Sequence, residues 1–406
     1  MRGIPKNSND RKKWILISVI SVVVVAGVLV AFWLWPRKNA SPATTSNTTG
    51  TSTSRPAEVD STVHIAMMGD MLAHDSVNAQ AKTADGYDYT PYFAGIKPLY
   101  KNADIVFCNP ETPVAGDTFG VSGYPTFNAP SAFARDLVKG AGCNVINLAS
   151  NHQADKGQAG INASLAVWKE LKPLAYSGMN SSATEQNAVS YFTVKGVKFA
   201  FLAFMDFSNS TLPNTYSVNS YHDKALVQKL MAEARQNAQV VLVSAHWGTE
   251  DSNTVNADQK AAAQLFADMG ATVVIGTGPH VEQSVAWLTA SDGRTIPVWY
   301  SIGNMLSSQL GINGLTSGVA LFDIDASKPT PTASNMLFES TFMSYEWSAA
   351  DKAAENLLAR HNLQLRPLLG SNAAIQSMFG TNYSEVERKA YLERVLDASA
   401  AHVTVR

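Results

Sequence analysis

Residues 144–157 read NVINLASNHQADKG. A short, mostly apolar run ends abruptly at Asn151 and His152, and the amphipathic pattern INASLAVWKEL (161–171) follows. A short apolar run reads as a buried strand and the longer periodic one as a helix. The unit is therefore strand, polar loop, helix, with an amide and an imidazole at the strand's carboxyl end. In open α/β sheets that end is where ligands bind.

The same arrangement recurs along the chain. Further strand-like runs are HIAMMG (64–69), DIVFCN (104–109), KFAFLAF (198–204), VVLVSAH (240–246), TVVIG (272–276) and VWYSIG (298–303). Helical patterns lie between them at 131–142, 223–236 and 256–270. Continuous apolar strands alternating with amphipathic helices predict an α/β fold whose sheets are covered on both faces. The stretch YFTVKGVKFAFLAF (191–204) breaks the alternation and reads as a hairpin turning at Lys195-Gly196, so mixed sheets are expected. Residues 347–406 are expected to form a helical C-terminal extension to a main domain at 62–346.

The first sixty residues are of another kind. Residues 14–35 carry no charge over 22 positions, enough for one transmembrane helix. Arg2, Lys6, Arg11, Lys12 and Lys13 precede the run, and only Arg37 and Lys38 follow closely. That bias predicts a cytoplasmic segment at 1–13, a single-pass cell-membrane anchor and an extracellular C-terminal bulk. The rival reading is a cleaved signal peptide, but the run is long for one and no clear cleavage site follows. Residues 36–61, rich in Ser and Thr, are expected to be a flexible linker. A net charge of −2 gives no sign of a polyanion-binding surface, and nucleic acid is not an expected partner. Cys108 and Cys143 sit in or beside apolar runs and read as buried free thiols, with a disulfide outside the cell as the alternative.

The strand ends carry the chemistry. Asp70, then Asn109 and Glu111, then Asn151 and His152, Asp206, His246, His280 and Asn304 each follow or end an apolar run. Any one Asp or Asn there is an ordinary turn former or helix cap. The coincidence is more informative: three of eight histidines occupy this edge, beside carboxylates. Carboxylate, amide and imidazole donors suit Mn, Fe, Zn or Mg. Neither a G-x-S-x-G elbow nor a Walker-type phosphate loop is present, which weakens serine hydrolase and NTP-driven readings.

Six ordered pieces, GDMLAHD (69–75), CNPETPVAG (108–116), NLASNHQADKG (147–157), SAHWGTED (244–251), GTGPHVEQ (276–283) and YSIGNM (300–305), resemble the CapA family of poly-γ-glutamate capsule biosynthesis proteins. That family is similar to the calcineurin-like metallophosphoesterases. The resemblance spans roughly residues 62–325 and implies a four-layered α/β/β/α sandwich with mixed sheets. It implies one or two divalent metal ions held by Asp70, Glu111, Asn151, His246 and His280, with Glu111 bridging them. His152 is implied as a phosphate-facing acid, and Asp155 joins it in the catalytic set. His74, Asn109, Trp247, Glu250, Gln283 and Asn304, from the same motifs, are expected to bind substrate. For Asp155 and Glu250 a surface charge or helix cap is the alternative. The implied partners are the membrane, an anionic surface polymer or its precursor, and other capsule synthesis or export proteins.

Two departures bear on activity. Gly278 stands where the family's late motif places a first histidine. Leu72 stands where the wider superfamily opens on Asp-x-His, with His74 two residues on. The sequence therefore leaves a metal-dependent, phosphoesterase-like hydrolase open beside a non-catalytic scaffold of an export complex. An external nucleotidase-like hydrolase is a third reading.

Overall fold

The structure is a computed structural model that describes residues 62–406. The expected cytoplasmic segment, transmembrane helix and linker lie outside the described residues. Among the described residues no helix is long and apolar enough to cross a membrane.

Two mixed sheets dominate. The first is built on β1 (Thr62–Met71), β2 (Ile105–Pro110), β3 (Val145–Asn147) and β4 (Ala175–Ser177), all parallel. The second holds β5 (Ser190–Val194), β6 (Val197–Met205), β7 (Val240–His246), β8 (Val273–Thr277), β9 (Val285–Thr289) and β10 (Thr295–Trp299). Strands β6, β7, β8 and β10 run parallel, with β5 and β9 antiparallel at the edges. The expected hairpin is β5–β6, and Lys195 and Gly196 both take positive φ at its tip. The first sheet continues through β11 (Asn304–Leu306), which pairs with β1, and through the antiparallel β12 (Thr316–Asp325) and β13 (Thr332–Glu346).

Alternation along β6 explains its unbroken apolar sequence. Phe199, Phe201, Ala203 and Met205 join the core shared with the first sheet, and Phe201 meets Phe107 of β2 edge to face. Ala200, Leu202 and Phe204 point the other way, into a second core against α3 (Lys224–Asn237) and α4 (Ala257–Asp268). A strand buried on both faces has no polar side to show. Helices α1 (Ser131–Asp136) and α2 (Gly157–Leu171) add Phe133, Ile161, Leu165 and Trp168 to the first core. Asp223 caps α3, and Asn256 with Gln259 forms a capping box at α4.

Residues 347–406 hold more than helices. Beside α5 (Asn372–Phe379) and α6 (Glu385–Val395) they supply β14 (His361–Pro367) and β15 (Thr404–Val405), both paired to β13. Leu363 and Leu365 alternate inward with period two, a short strand signal set among polar neighbours. Cys108 and Cys143 are joined in a disulfide, so the reading as free thiols is corrected and the alternative holds. Adjacent strands are the reason: Cys108 lies in β2, Cys143 just precedes β3, and their Cα atoms are 5.8 Å apart.

Candidate metal centre

Strand register assembles the site. Asp70, at the end of β1, lies opposite Asn109 of β2 on one side and Asn304 of β11 on the other. In the second sheet Thr277 of β8 lies opposite His246 of β7. Asp70, Glu111 and His246 are buried, and one ligand atom from each lies within 4.8 Å of the others. His280 closes the group, with Nδ1 3.1 Å from Asp70 Oδ2 and 3.7 Å from Glu111 Oε2. His246 Nε2 is 3.5 Å from Glu111 Oε1.

The backbone around His280 is unusual. His280 takes φ 62°, a left-handed conformation a non-glycine residue seldom adopts, and Gly278 takes φ 108°. The Gly278 N–H points at both Asp70 carboxylate oxygens, 3.1 Å from each. A Cβ on Gly278 would lie 2.8 Å from the Trp247 carbonyl and 3.1 Å from His246 Nε2. No side chain fits there, so position 278 contributes a backbone donor to Asp70 and no side-chain ligand.

The donor set fits a divalent cation. Both Glu111 oxygens are buried without a hydrogen-bond partner, and so is Asn151 Oδ1. Buried carboxylate oxygens are costly unless something compensates them. Oxygen and imidazole donors converging from separate strands match what Mn, Fe, Zn or Mg take.

The electrostatics point the same way. Burial alone would drive His280 toward its neutral form, but the Glu111 charge and the bond to Asp70 outweigh it and raise its pKa to about 10. His246 is likewise raised: burial opposes its charge, and Glu111 and then Asp70 overcome that. Asp70 is lowered because His280, His246 and Asn109 outweigh its desolvation. The cluster attracts positive charge, and it pushes both histidines toward their protonated forms.

A second group adjoins this centre. His152 Nδ1 is 2.8 Å from Asp155 Oδ2, and the ring packs edge-on against Phe127. Asp155 also accepts from the Phe127 N–H and from Ser210 Oγ. It is a buried anchor for the imidazole, which sets aside the surface-charge alternative. Asn209 Nδ2 approaches His152 Nε2 at 3.1 Å. His74, His152, His280 and Glu250 line one open cleft of about 520 Å³, with Phe127 and Gln309. Burial pushes His74 down to about 3, and the charges of His280 and Arg360 add to that, so it is neutral.

Four of the residues expected to bind substrate are instead held by protein partners. Asn109 is fully buried, donates to Asp70 Oδ1 at 2.7 Å and accepts from Asn147. Trp247 is packed in the second core with its indole N–H on the Tyr300 carbonyl. Gln283 is fully buried among Gln259, Ser252 and Thr254. Asn304 has Oδ1 3.1 Å from His280 Nδ1 and donates to Gln309 and Gly314. Asn109 and Asn304 brace ligand-type residues, whereas Trp247 and Gln283 belong to packing. Asp206 joins His222 and Asp258 in a separate, mostly exposed group. Asn147, Phe127, Asn209, Ser210 and Gln309 were missed. Only Asn147 carried a signal, as an amide inside an apolar run.

Fold and cluster together define a two-sheet α/β protein with a candidate divalent-cation centre at its strand ends. The chain belongs to the family described as bacterial capsule synthesis protein PGA_cap, whose model matches residues 64–309. The resemblance read from the six motifs is thus borne out. The chain is 27% identical to the capsule biosynthesis protein CapA of Bacillus anthracis over 313 residues, covering 75% of this chain and 70% of that one. It is 25% identical to the PGA biosynthesis protein CapA of Bacillus subtilis (strain 168) over 311 residues, covering 75% and 76%. Among solved structures it is similar to a hypothetical protein from Thermus thermophilus, with 14% identity and a TM-score of 0.41 over 68% of this chain and 99% of that one. A 5'-nucleotidase from Candida albicans matches at 9% identity and a TM-score of 0.36 over 64% and 47%. Likeness at these scores assigns neither a fold family nor an activity.

Proposed function

We propose that this chain is anchored in the cell membrane by residues 14–35, with residues 62–406 outside the cell as a four-layered α/β/β/α metallophosphoesterase-type sandwich. It serves the biosynthesis, export or attachment of an anionic capsular polymer such as poly-γ-glutamate, alongside other capsule synthesis or export proteins. The strand-end cluster holds one or two divalent cations and hydrolyses a phosphoester or amide bond in the polymer or its precursor. One observation carries this reading: Glu111, fully buried, presents two carboxylate oxygens that have no hydrogen-bond partner and face His246 and His280 at 3.5 and 3.7 Å. The Cys108–Cys143 disulfide supports an oxidising, external setting.

Asp70, Glu111, Asn151, His246 and His280 would hold the cation. A bound divalent cation supplies Lewis-acid polarisation of a substrate oxygen. Asn109 and the Gly278 N–H fix the Asp70 carboxylate, and Asn304 fixes the His280 ring, as outer partners of ligands commonly do. Asp155 holds His152 at Nδ1, so Nε2, which meets the Asn209 amide at 3.1 Å, would pass a proton to the leaving group once substrate displaces that amide. The test is elemental analysis of the purified full chain, with phosphodiesterase and γ-glutamyl amidase assays. Bound metal with turnover that Glu111→Gln abolishes is the expected result. Metal content and turnover unchanged in Glu111→Gln and His246→Ala would defeat the mechanism.

The second reading is a non-catalytic scaffold, favoured by the missing side chain at Gly278. Neither metal nor turnover after reconstitution with Mn, Fe, Zn and Mg would support it.

A further inference from the structure

Beside the cleft lies a second concavity, a groove of about 750 Å³. It is lined by Leu310, Tyr345, Trp347, Lys352, His361 and Phe379. The two concavities meet at consecutive residues: Gln309 lines the cleft and Leu310 lines the groove. Leu310 is 48% exposed, a large apolar side chain left on the surface at this junction.

Arg360 ties the two together. Its buried guanidinium sits 5.3 Å from the Tyr345 ring centre and 5.7 Å from that of Trp347. The same group donates to the Ser308 carbonyl and reaches Ser308 Oγ and Ser76 Oγ. The Ser308 N–H in turn meets His74 Nδ1 at 3.3 Å, in the cleft. One buried cation thus fixes both the aromatic wall of the groove and the turn that leads into the cleft.

We infer that the groove is a subsite for the continuing chain of an anionic polyamide whose reacting bond lies in the cleft. This rests on the polymer reading proposed above and extends it from a bond to a chain. Half-exposed faces of Tyr345, Trp347 and Phe379 suit the flat amides and methylene runs of such a polymer. Lys352, exposed at the rim, stands to meet its carboxylates. Glu346 is the opposing charge, exposed and 3.4 Å from His361 Nε2, so its carboxylate is free to swing away from a ligand. Lys352 and Glu346 offset one another, so the contact is aromatic first, and Lys352 orients the polymer's carboxylates at the rim.

The test compares long poly-γ-glutamate with a γ-glutamyl dipeptide as probes of the full chain in detergent, by calorimetry at low salt. Wild type is expected to bind the long probe more tightly than the dipeptide. Trp347→Ala and, independently, Lys352→Glu are each expected to weaken the long probe by about tenfold and leave the dipeptide unchanged. Lys352 is exposed, so its variant keeps the test valid if Trp347→Ala disturbs folding. Long-probe binding that neither variant changes would overturn the groove and leave the proposed function standing. No binding of the long probe by wild type would overturn the polymer reading itself, and the groove with it.

Discussion

His280 Nδ1 lies 3.1 Å from Asp70 Oδ2, a contact between residues 210 positions apart that joins the two sheets at their strand ends. It has a definite pH signature. The folded-state pKa of His280, raised to about 10, stands above the ordinary histidine value of about 6.5. A raised pKa contributes stability that is fully present below the unfolded value and is lost as pH rises through the folded one. The metal-free protein is therefore expected to lose thermal stability between about pH 6.5 and 10. His280→Gln should flatten that slope. Melting curves across the window check this, and a wild-type midpoint that rises toward pH 10 would contradict it.

The same protons compete with metal. A ligating imidazole must be neutral, so cation binding has to displace the charge that Glu111 and Asp70 hold on His246 and His280. Apparent affinity is expected to rise with pH until about 10, where His280 loses its proton, with protons released on binding. Glu111→Gln should cost more than the roughly 10–100-fold typical of an outer-shell change. Titration calorimetry in buffers of different ionisation enthalpy measures both. Affinity independent of pH would show that the histidines are not ligands.

The sequence made the strand ends legible because an apolar run that stops at His or Asp is a local pattern. The alternation of β6 between two cores and the hairpin at Lys195-Gly196 were legible for the same reason. What the chain does between strands was not. Asn109 and Asn304 look like cleft residues in sequence, and only the register of β1 against β2 and β11 turns them into braces. Asn209 and Phe127 reach His152 from loops with no periodic signal. β14 was hidden because its two inward leucines lie among polar residues.

Gly278 is a case where structure changes the meaning of a departure. Its φ of 108° excludes ordinary side chains, and its N–H serves Asp70. Gly278→Ala is expected to lower stability by roughly 1–3 kcal/mol through backbone strain. The Cβ contact with the Trp247 carbonyl acts in the same direction. Gly278→His should lower metal content rather than add a ligand, because the side chain would displace the donor that holds Asp70. Denaturant melts and metal stoichiometry test the pair, and a gain of one equivalent of metal in Gly278→His would reverse this view.

The disulfide closes a loop of 35 residues between the strand that carries Asn109 and the one that carries Asn147. A bridge over a loop of that length restricts the unfolded chain and stabilises by about 3–4 kcal/mol. Both sulfurs are buried, so the double variant Cys108→Ala, Cys143→Ala leaves small apolar groups and no orphaned thiol. It is expected to unfold in urea with a free energy lower by about that amount. The bridge also bears on the site, because Asn147 donates to Asn109 and Asn109 to Asp70 across these same strands. If the bridge maintains their register, the double variant loses metal affinity at temperatures where it is still folded. If affinity survives in the folded fraction, strand pairing alone holds the amide chain, and the disulfide acts on stability only.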